Sequence, residues 1–184
     1  MKIFISGGCK NGKSYYALKI AAHIGRPLYY IATMVPSDNE DRERIARHRA
    51  EREGLGFTTV ELPRGVCDLP PRCDLNGAFL LDSLTALLAN EMFIGGRCDE
   101  RAGERVIRDV TELINKTANI VIVSDNIYSD AFRYDAMTEN YRRWLGRADR
   151  AAAALCDAVI EISYGRTIVH KDAKGFFDGC EKIS

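Results

Sequence analysis

The sequence predicts a three-layer α/β domain, a mostly parallel sheet with helices on both faces. Short apolar runs alternate with longer amphipathic stretches along all 184 residues. Several of the runs are almost continuously apolar, as strands covered on both faces must be. A glycine-rich turn of the kind that holds phosphate also joins the first run to the first amphipathic stretch.

In order, Lys2 to Ser6 reads as a strand, and a helix carrying Leu18, Ile20, Ala21 and Ile24 follows it. Leu28 to Thr33 is a second strand, Asp38 to Glu53 a highly charged helix, and Phe57 to Leu62 a third strand. Pro63 to Asn76, with three prolines and two cysteines, reads as an irregular loop. Ala78 to Asp82 is a strand and Ser83 to Ile94 a helix. Val106, Val110, Leu113 and Ile114 mark a helix from about Glu100 to Thr117. Asn119 to Ser124 is a strand. Met137, Tyr141, Trp144, Leu145, Ala148, Ala152 and Leu155 recur at three- and four-residue steps as one buried helical stripe. Ala158 to Ser163 is the last core strand. Thr167 to Lys171, after a Tyr-Gly-Arg turn, returns as an antiparallel edge strand. The tail after Gly175 shows little periodicity and is expected to be loosely held.

Residues 1–184 read as a single domain, 46% hydrophobic and 28% charged. A chain of that length buries roughly 70% of its unfolded surface, enough for one core. Twenty-six basic and twenty-six acidic residues cancel, which argues against nucleic acid or anionic lipid as main partner, although a local basic run from Arg47 to Arg52 remains. No apolar run approaches the ~20 residues of a membrane helix, and Met1-Lys2-Ile3-Phe4 shows no signal peptide, so a cytoplasmic protein is expected. Cys9, Cys67, Cys73, Cys98, Cys156 and Cys180 have neither C-x-x-C nor zinc spacing. A disulfide framework is not expected.

Gly7-Gly8-Cys9-Lys10-Asn11-Gly12-Lys13-Ser14 matches G-x-x-x-x-G-K-[ST] at every fixed position. Glycines let backbone N–H groups curl around phosphate oxygens, and the helix N-terminus adds partial positive charge. Lys13 would reach the outer phosphates and the Ser14 hydroxyl would ligate Mg²⁺. Asp82, at the C-terminal end of its strand, supplies the carboxylate such a metal site needs. It is equally placed to cap the following helix.

From Asp38 to Glu53, eleven of sixteen residues are charged. For most, a solvated face laced with i,i+4 pairs is the reading. Asp41, Ile45, His48 and Arg52 share one face, with Arg44 and Arg52 a turn either side of His48. A histidine between arginines is poorly placed to hold a proton, and neutral imidazole is the nucleophilic form. A plain surface histidine fits the same pattern. His23 and His170 read as structural.

Together these segments resemble the adenosylcobinamide kinase/adenosylcobinamide-phosphate guanylyltransferase family of cobalamin biosynthesis, from Lys2 to Lys171. The resemblance rests on Ile5-Ser6-Gly7-Gly8 with Gly12-Lys13-Ser14, Tyr30-Ile31-Ala32-Thr33, and Arg44-Ile45-Ala46-Arg47-His48-Arg49 with Arg52. It continues in Leu80-Leu81-Asp82-Ser83-Leu84-Thr85 with Asn90, and in Tyr141-Arg142 with Gly146-Arg147. It implies a RecA-like P-loop NTPase fold and two activities. One phosphorylates the aminopropanol arm of a corrinoid, adenosylcobinamide, from GTP or ATP. The other transfers GMP from GTP through a covalent histidine, which His48 matches. Ala32, Thr33, Met34, Arg49, Ala50, Glu51, Arg52, Glu61 and Asp82 fall where the family contacts GTP. A homotrimer is implied too.

The pattern changes in the second half. Asp125-Asn126-Ile127-Tyr128 stands where the family carries Asn-Glu-Val-Gly, and Arg133 replaces a proline. Arg143 and Asp149 stand for Asp and Asn, Phe57 for Trp, and Ser83 for Cys. These changes spare the nucleotide side and bear on the acceptor. Two other classes stay open: a P-loop small-molecule kinase with no covalent intermediate, and a nucleotide sensor whose partner surface involves Tyr128 and Phe132.

Overall fold

Strands that alternate apolar side chains between two covered faces build the sheet. The computed structural model describes residues 1–178. Along them run β1 (Lys2–Gly7), α1 (Lys13–Ile24), β2 (Leu28–Ala32), α2 (Asn39–Arg52), β3 (Phe57–Glu61), β4 (Ala78–Asp82) and α3 (Leu84–Met92). Then come β5 (Phe93–Ile94), β6 (Arg97–Cys98), α4 (Ala102–Lys116), β7 (Asn119–Val123), α5 (Ala136–Leu155), β8 (Ala158–Ser163) and β9 (Arg166–Asp172). Seven strands form one sheet in the order β3-β2-β4-β7-β1-β8-β9. All neighbours are parallel except β8 and β9. The expected three layers and antiparallel edge strand are therefore present.

Ile3, Ile5, Tyr30, Leu80, Val121 and Val123 face α1, packing with Ala17, Leu18, Ile20 and Ala21. Their neighbours Phe4, Ile31, Phe79, Leu81, Ile120 and Ile122 face the layer of α3, α4 and α5. Helix α2 stands apart: of its residues only Arg52 is buried, and its caps are electrostatic. Asp38 accepts from the Asp41 amide, acids occupy the first turn, and Arg49 and Arg52 the last, each complementing the helix dipole.

The structure corrects four expectations. The helix expected to Ile94 ends at Met92, because Phe93–Ile94 turns back as a hairpin with Arg97–Cys98. Gly95 and Gly96, both at positive φ, make that turn. In the α5 stripe Leu145, Ala148 and Ala152 are buried, whereas Met137 and Leu155 at the two ends are exposed. The N-cap of α3 is Ser83, whose hydroxyl accepts from the Ala86 amide, so Asp82 is free of that task. Beyond Gly175, Phe176 and Phe177 donate their amides to the Asp172 carboxylate and pack on the α1 side of the core. The rest of the expected loose tail, with Cys180, lies outside the described residues. Pro63 to Asn76 holds no helix or strand, although Val66 and Cys73 within it are buried. Cys9, Cys67, Cys73, Cys98 and Cys156 are free thiols.

Two departures from the family pattern are partners. The Tyr128 hydroxyl donates to Asp149 Oδ2 at 2.9 Å. Asp149 is 3% exposed, and among the described residues its Oδ1 has no partner. Burial pushes the Asp149 carboxyl up to about 6; hydrogen bonds from Ser124 and Tyr128 oppose this and the Asp125 charge adds to it.

Gly103 of α4 lies against the single tryptophan, Trp144 of α5, and an added Cβ would overlap the indole. Gly103→Ala is expected to cost about 1–3 kcal/mol, as overpacking does, with a changed Trp144 emission; denaturant unfolding followed by tryptophan fluorescence measures both. Asp149 supplies a second expectation. Its folded pKa exceeds the ordinary carboxyl value, so its stabilising share is present at low pH and is lost as pH rises through about 6. With the carboxyl raised to about 6, that share is about 3 kcal/mol at most. Asp149→Asn should therefore gain on the wild type, by up to that amount, between pH 4 and pH 7.5 in paired urea melts. A difference that stays flat across the range would contradict it.

Candidate active site

The site lies where the C-terminal ends of parallel strands meet helix N-termini, the position open α/β sheets give to ligands. β1 runs into the phosphate loop. Gly7 is required there by close approach, since a Cβ would come within 2.5 Å of the Asn11 amide nitrogen and crowd the Ile162 carbonyl. Gly12 takes a left-handed φ of 87° as N-cap of α1. Lys10 reaches out to Glu40 of α2 at 2.7 Å, an exposed pair. Cys9 and Gly8 are also exposed. Lys13 is buried, and its ammonium bonds the Gly8 carbonyl at 2.6 Å, Asn11 Oδ1 at 3.2 Å and Asp125 Oδ1 at 2.8 Å.

β7 lies between β1 and β4, so Asp125, just past its end, emerges between the phosphate loop and Asp82. Two further bonds hold it. The Asp125 amide donates to Thr85 Oγ1 at 2.8 Å, and the Asn126 amide to the Gly7 carbonyl at 2.9 Å.

Asp82 ends β4 directly opposite Ala32 of β2. The Tyr30 hydroxyl, on the same face of β2, donates to Asp82 Oδ2 at 2.8 Å. His48 of α2 places Nδ1 3.4 Å from the same oxygen and 3.4 Å from the Tyr30 hydroxyl. Burial works to raise the Asp82 pKa, but bonds from His48, Tyr30 and the nearby Ser14 hydroxyl outweigh it and hold the group below the ordinary carboxyl value. Burial, then the Asp82 charge, pushes Tyr30 up, which keeps it a neutral donor. Arg52 lies over the Tyr30 ring at 3.6 Å and donates to the His48 carbonyl at 2.8 Å. The immediate neighbours of His48 are thus a carboxylate and a phenol, not only the arginines its helix suggested.

Two chambers open around this junction. One, of about 760 Å³, is lined by Lys10, Asn11, Gly12, Lys13, Ser14 and Asp125. The other, of about 700 Å³, lies between α2, β2 and β3 and is lined by Ala32, Met34, Arg49, Arg52, Glu61 and neighbours. Arg44, His48, Asp82 and Ser83 line both. Each has the size of a small-ligand pocket. Arg49 and Glu61 meet at 3.3 Å across the second mouth; both are exposed, so a ligand can open that pair cheaply.

Most residues expected to touch nucleotide come together here. Gly7, Gly8, Cys9, Thr33 and Ala50 line neither chamber. The Thr33 hydroxyl instead braces Ser83, accepting from its amide at 2.7 Å and donating to its carbonyl at 2.9 Å. Ala50 is exposed on α2, and Glu51 lines the phosphate chamber rather than the second. Tyr30 and Asp125 are site residues that sequence reasoning did not select. Tyr30 was signalled by strand period, two residues before the end of β2. Asp125 carried the same signal as Asp82, an acid directly after an apolar strand. Ser14 and Asp82 offer hard oxygen donors around a carboxylate kept ionised, which suits Mg²⁺.

The family described as cobinamide kinase / cobinamide phosphate guanyltransferase matches residues 3–169. The bifunctional adenosylcobalamin biosynthesis protein CobP of Pseudomonas aeruginosa is 30% identical over 164 residues, covering 86% of this chain and 91% of that protein. The bifunctional adenosylcobalamin biosynthesis protein CobU of Salmonella typhimurium is 28% identical over 175 residues, covering 86% and 93%. Among solved structures, a Pyrococcus horikoshii protein studied as PH0250 shares the fold, with a TM-score of 0.51 at 9% identity over 94% of this chain and 87% of its own. No helix among the described residues is long and apolar enough to cross a membrane. A phosphate loop, a buried Asp82 and a histidine between two chambers thus sit in a chain that belongs to the cobinamide kinase/cobinamide phosphate guanylyltransferase family, a family of kinase and nucleotidyltransferase enzymes.

Proposed function

We propose that this chain is a bifunctional adenosylcobinamide kinase and adenosylcobinamide-phosphate guanylyltransferase, and that the guanylyl half runs through a covalent His48 intermediate. The observation that carries the reading is His48 on the wall common to both chambers. A nucleoside triphosphate laid across that wall has its outer phosphates on the loop, its base between α2, β2 and β3, and its α-phosphorus beside the imidazole.

His48 Nδ1 is turned to Asp82 and Tyr30, which leaves Nε2 to attack. The N–P bond forms as the bond from the α-phosphorus to the bridging oxygen breaks, and pyrophosphate leaves. Asp82 orients the ring and stabilises the imidazolium formed, the role a buried carboxylate plays behind a reacting histidine. Lys13 and the loop amides hold the leaving pyrophosphate, while Arg44 and Arg52 neutralise charge on the group in transfer. Mg²⁺, held by Ser14 and Asp82, would supply charge neutralisation at the phosphates. A phosphate oxygen of the corrinoid acceptor then attacks the same phosphorus, the N–P bond breaks, and His48 is restored. Glu61 at the base chamber suits guanine, whose Watson–Crick edge presents N–H donors.

Intact-protein mass after incubation with GTP and Mg²⁺ tests the covalent step. The wild type should gain one GMP, labile to acid. His48→Ala should gain none while binding GTP within about tenfold of the wild type. Lys13→Ala should form the adduct at least about 100-fold more slowly, the scale of one removed charge stabiliser. An unmodified wild type that still binds GTP would sink the covalent mechanism.

A further inference from the structure

The donors of Lys13 are already spent. An ammonium carries three N–H groups, and here they meet the Gly8 carbonyl, Asn11 Oδ1 and Asp125 Oδ1 at 2.6, 3.2 and 2.8 Å. Of these acceptors only Asp125 is charged, and it stands where the family pattern has Asn. We propose that Asp125 is a counter-charge that competes with phosphate for Lys13. It thereby sets how tightly the loop holds outer phosphates and how readily it releases pyrophosphate. The inference deepens the function proposed above and rests on its phosphate loop alone.

Both members of the pair are withdrawn from water, Lys13 at 5% exposure and Asp125 at 8%, so solvent screens their attraction little. Asp125 cannot follow Lys13 outward. Its own amide donates to Thr85 Oγ1 at 2.8 Å, and the Asn126 amide donates to the Gly7 carbonyl at 2.9 Å. The carboxylate is therefore fixed to α3 and to the first glycine of the loop, and it stays in the chamber wall when phosphate arrives. Lys10 has an acidic partner too, Glu40 of α2, but that pair is exposed and water weakens it. The competition is concentrated at Lys13.

Removing the charge acts twice in one direction. With an amide at position 125, the resting chain holds a buried ammonium without its anion, which raises the free state. The phosphate-bound state loses a carboxylate facing the incoming anion, which lowers it. Each change tightens the hold on outer phosphates. GMP has none to place on the loop, so neither change reaches it. After guanylyl transfer, the return of Lys13 to Asp125 lets pyrophosphate leave without stranding a buried cation.

The test is calorimetric titration of the wild type and Asp125→Asn with inorganic pyrophosphate and with GMP, Mg²⁺ present throughout. Asp125→Asn should bind pyrophosphate at least about tenfold more tightly, a modest share of the cost of unpairing a buried charge. Its affinity for GMP should stay within about threefold of the wild type. The variant's urea midpoint should fall without ligand, and pyrophosphate should raise it by more than it raises the wild type's. A purely structural role would lower the midpoint without tightening pyrophosphate. Unchanged or weaker pyrophosphate binding in Asp125→Asn would overturn the proposal, as would an equal gain for GMP. A wild type that binds neither pyrophosphate nor GTP would remove the phosphate loop as a site, and the proposal with it. The His48 adduct is not needed for any of these readings, so failure of the covalent mechanism and failure of the competition are separate results.

Discussion

A carboxylate buried at the end of a central strand is the constraint on which the site is built. Asp82 is 7% exposed, and an unpaired charge there would cost several kcal/mol. The cost is met by partners from two other elements: the Tyr30 hydroxyl of β2 and the His48 imidazole of α2, both at Oδ2. Satisfying that oxygen therefore fixes how β2 and α2 sit around β4. It also draws α2 inward, although that helix has almost no apolar face to bury. Arg52, stacked on Tyr30 and bonded to the His48 carbonyl, closes the same junction from the far side.

A second charged pair sets the other half. Lys13 and Asp125 meet in the interior beside the loop, and breaking such a pair by losing one partner costs about 3–5 kcal/mol. Near it lies a further polar pair, Tyr128 on the buried Asp149. The site is thus two ionic centres on adjacent strands, with the imidazole beside one and the phosphate loop around both.

Much of this was legible in the sequence, and the boundary has a physical cause. The loop and Asp82 were readable because each is signalled locally, by a contiguous motif or a strand end, whereas the helix face of His48 fitted a plain surface histidine and the family resemblance singled it out. The strands were readable for the same reason. Contacts that need register were not. Tyr30 meets Asp82 only because β2 pairs with β4, and Lys13 meets Asp125 only because β7 inserts between β1 and β4. The hairpin was hidden by the apolar period of α3 running on into Phe93 and Ile94, although Gly95-Gly96 marked the turn. Met137 and Leu155 continued a helical stripe beyond the surface that α5 covers. Thr33 shows the reverse case: a motif residue whose hydroxyl the fold uses to brace Ser83.

The most direct measurement is a crystal structure of the chain with Mg²⁺ and a GTP analogue carrying a methylene in place of the α,β-bridging oxygen. The account predicts the outer phosphates on the loop around Lys13, the base between α2, β2 and β3, and the α-phosphorus about 3–3.5 Å from His48 Nε2, the separation of a reactive pose. Phosphates on the loop with the base outside that chamber, and His48 remote from the α-phosphorus, would contradict it.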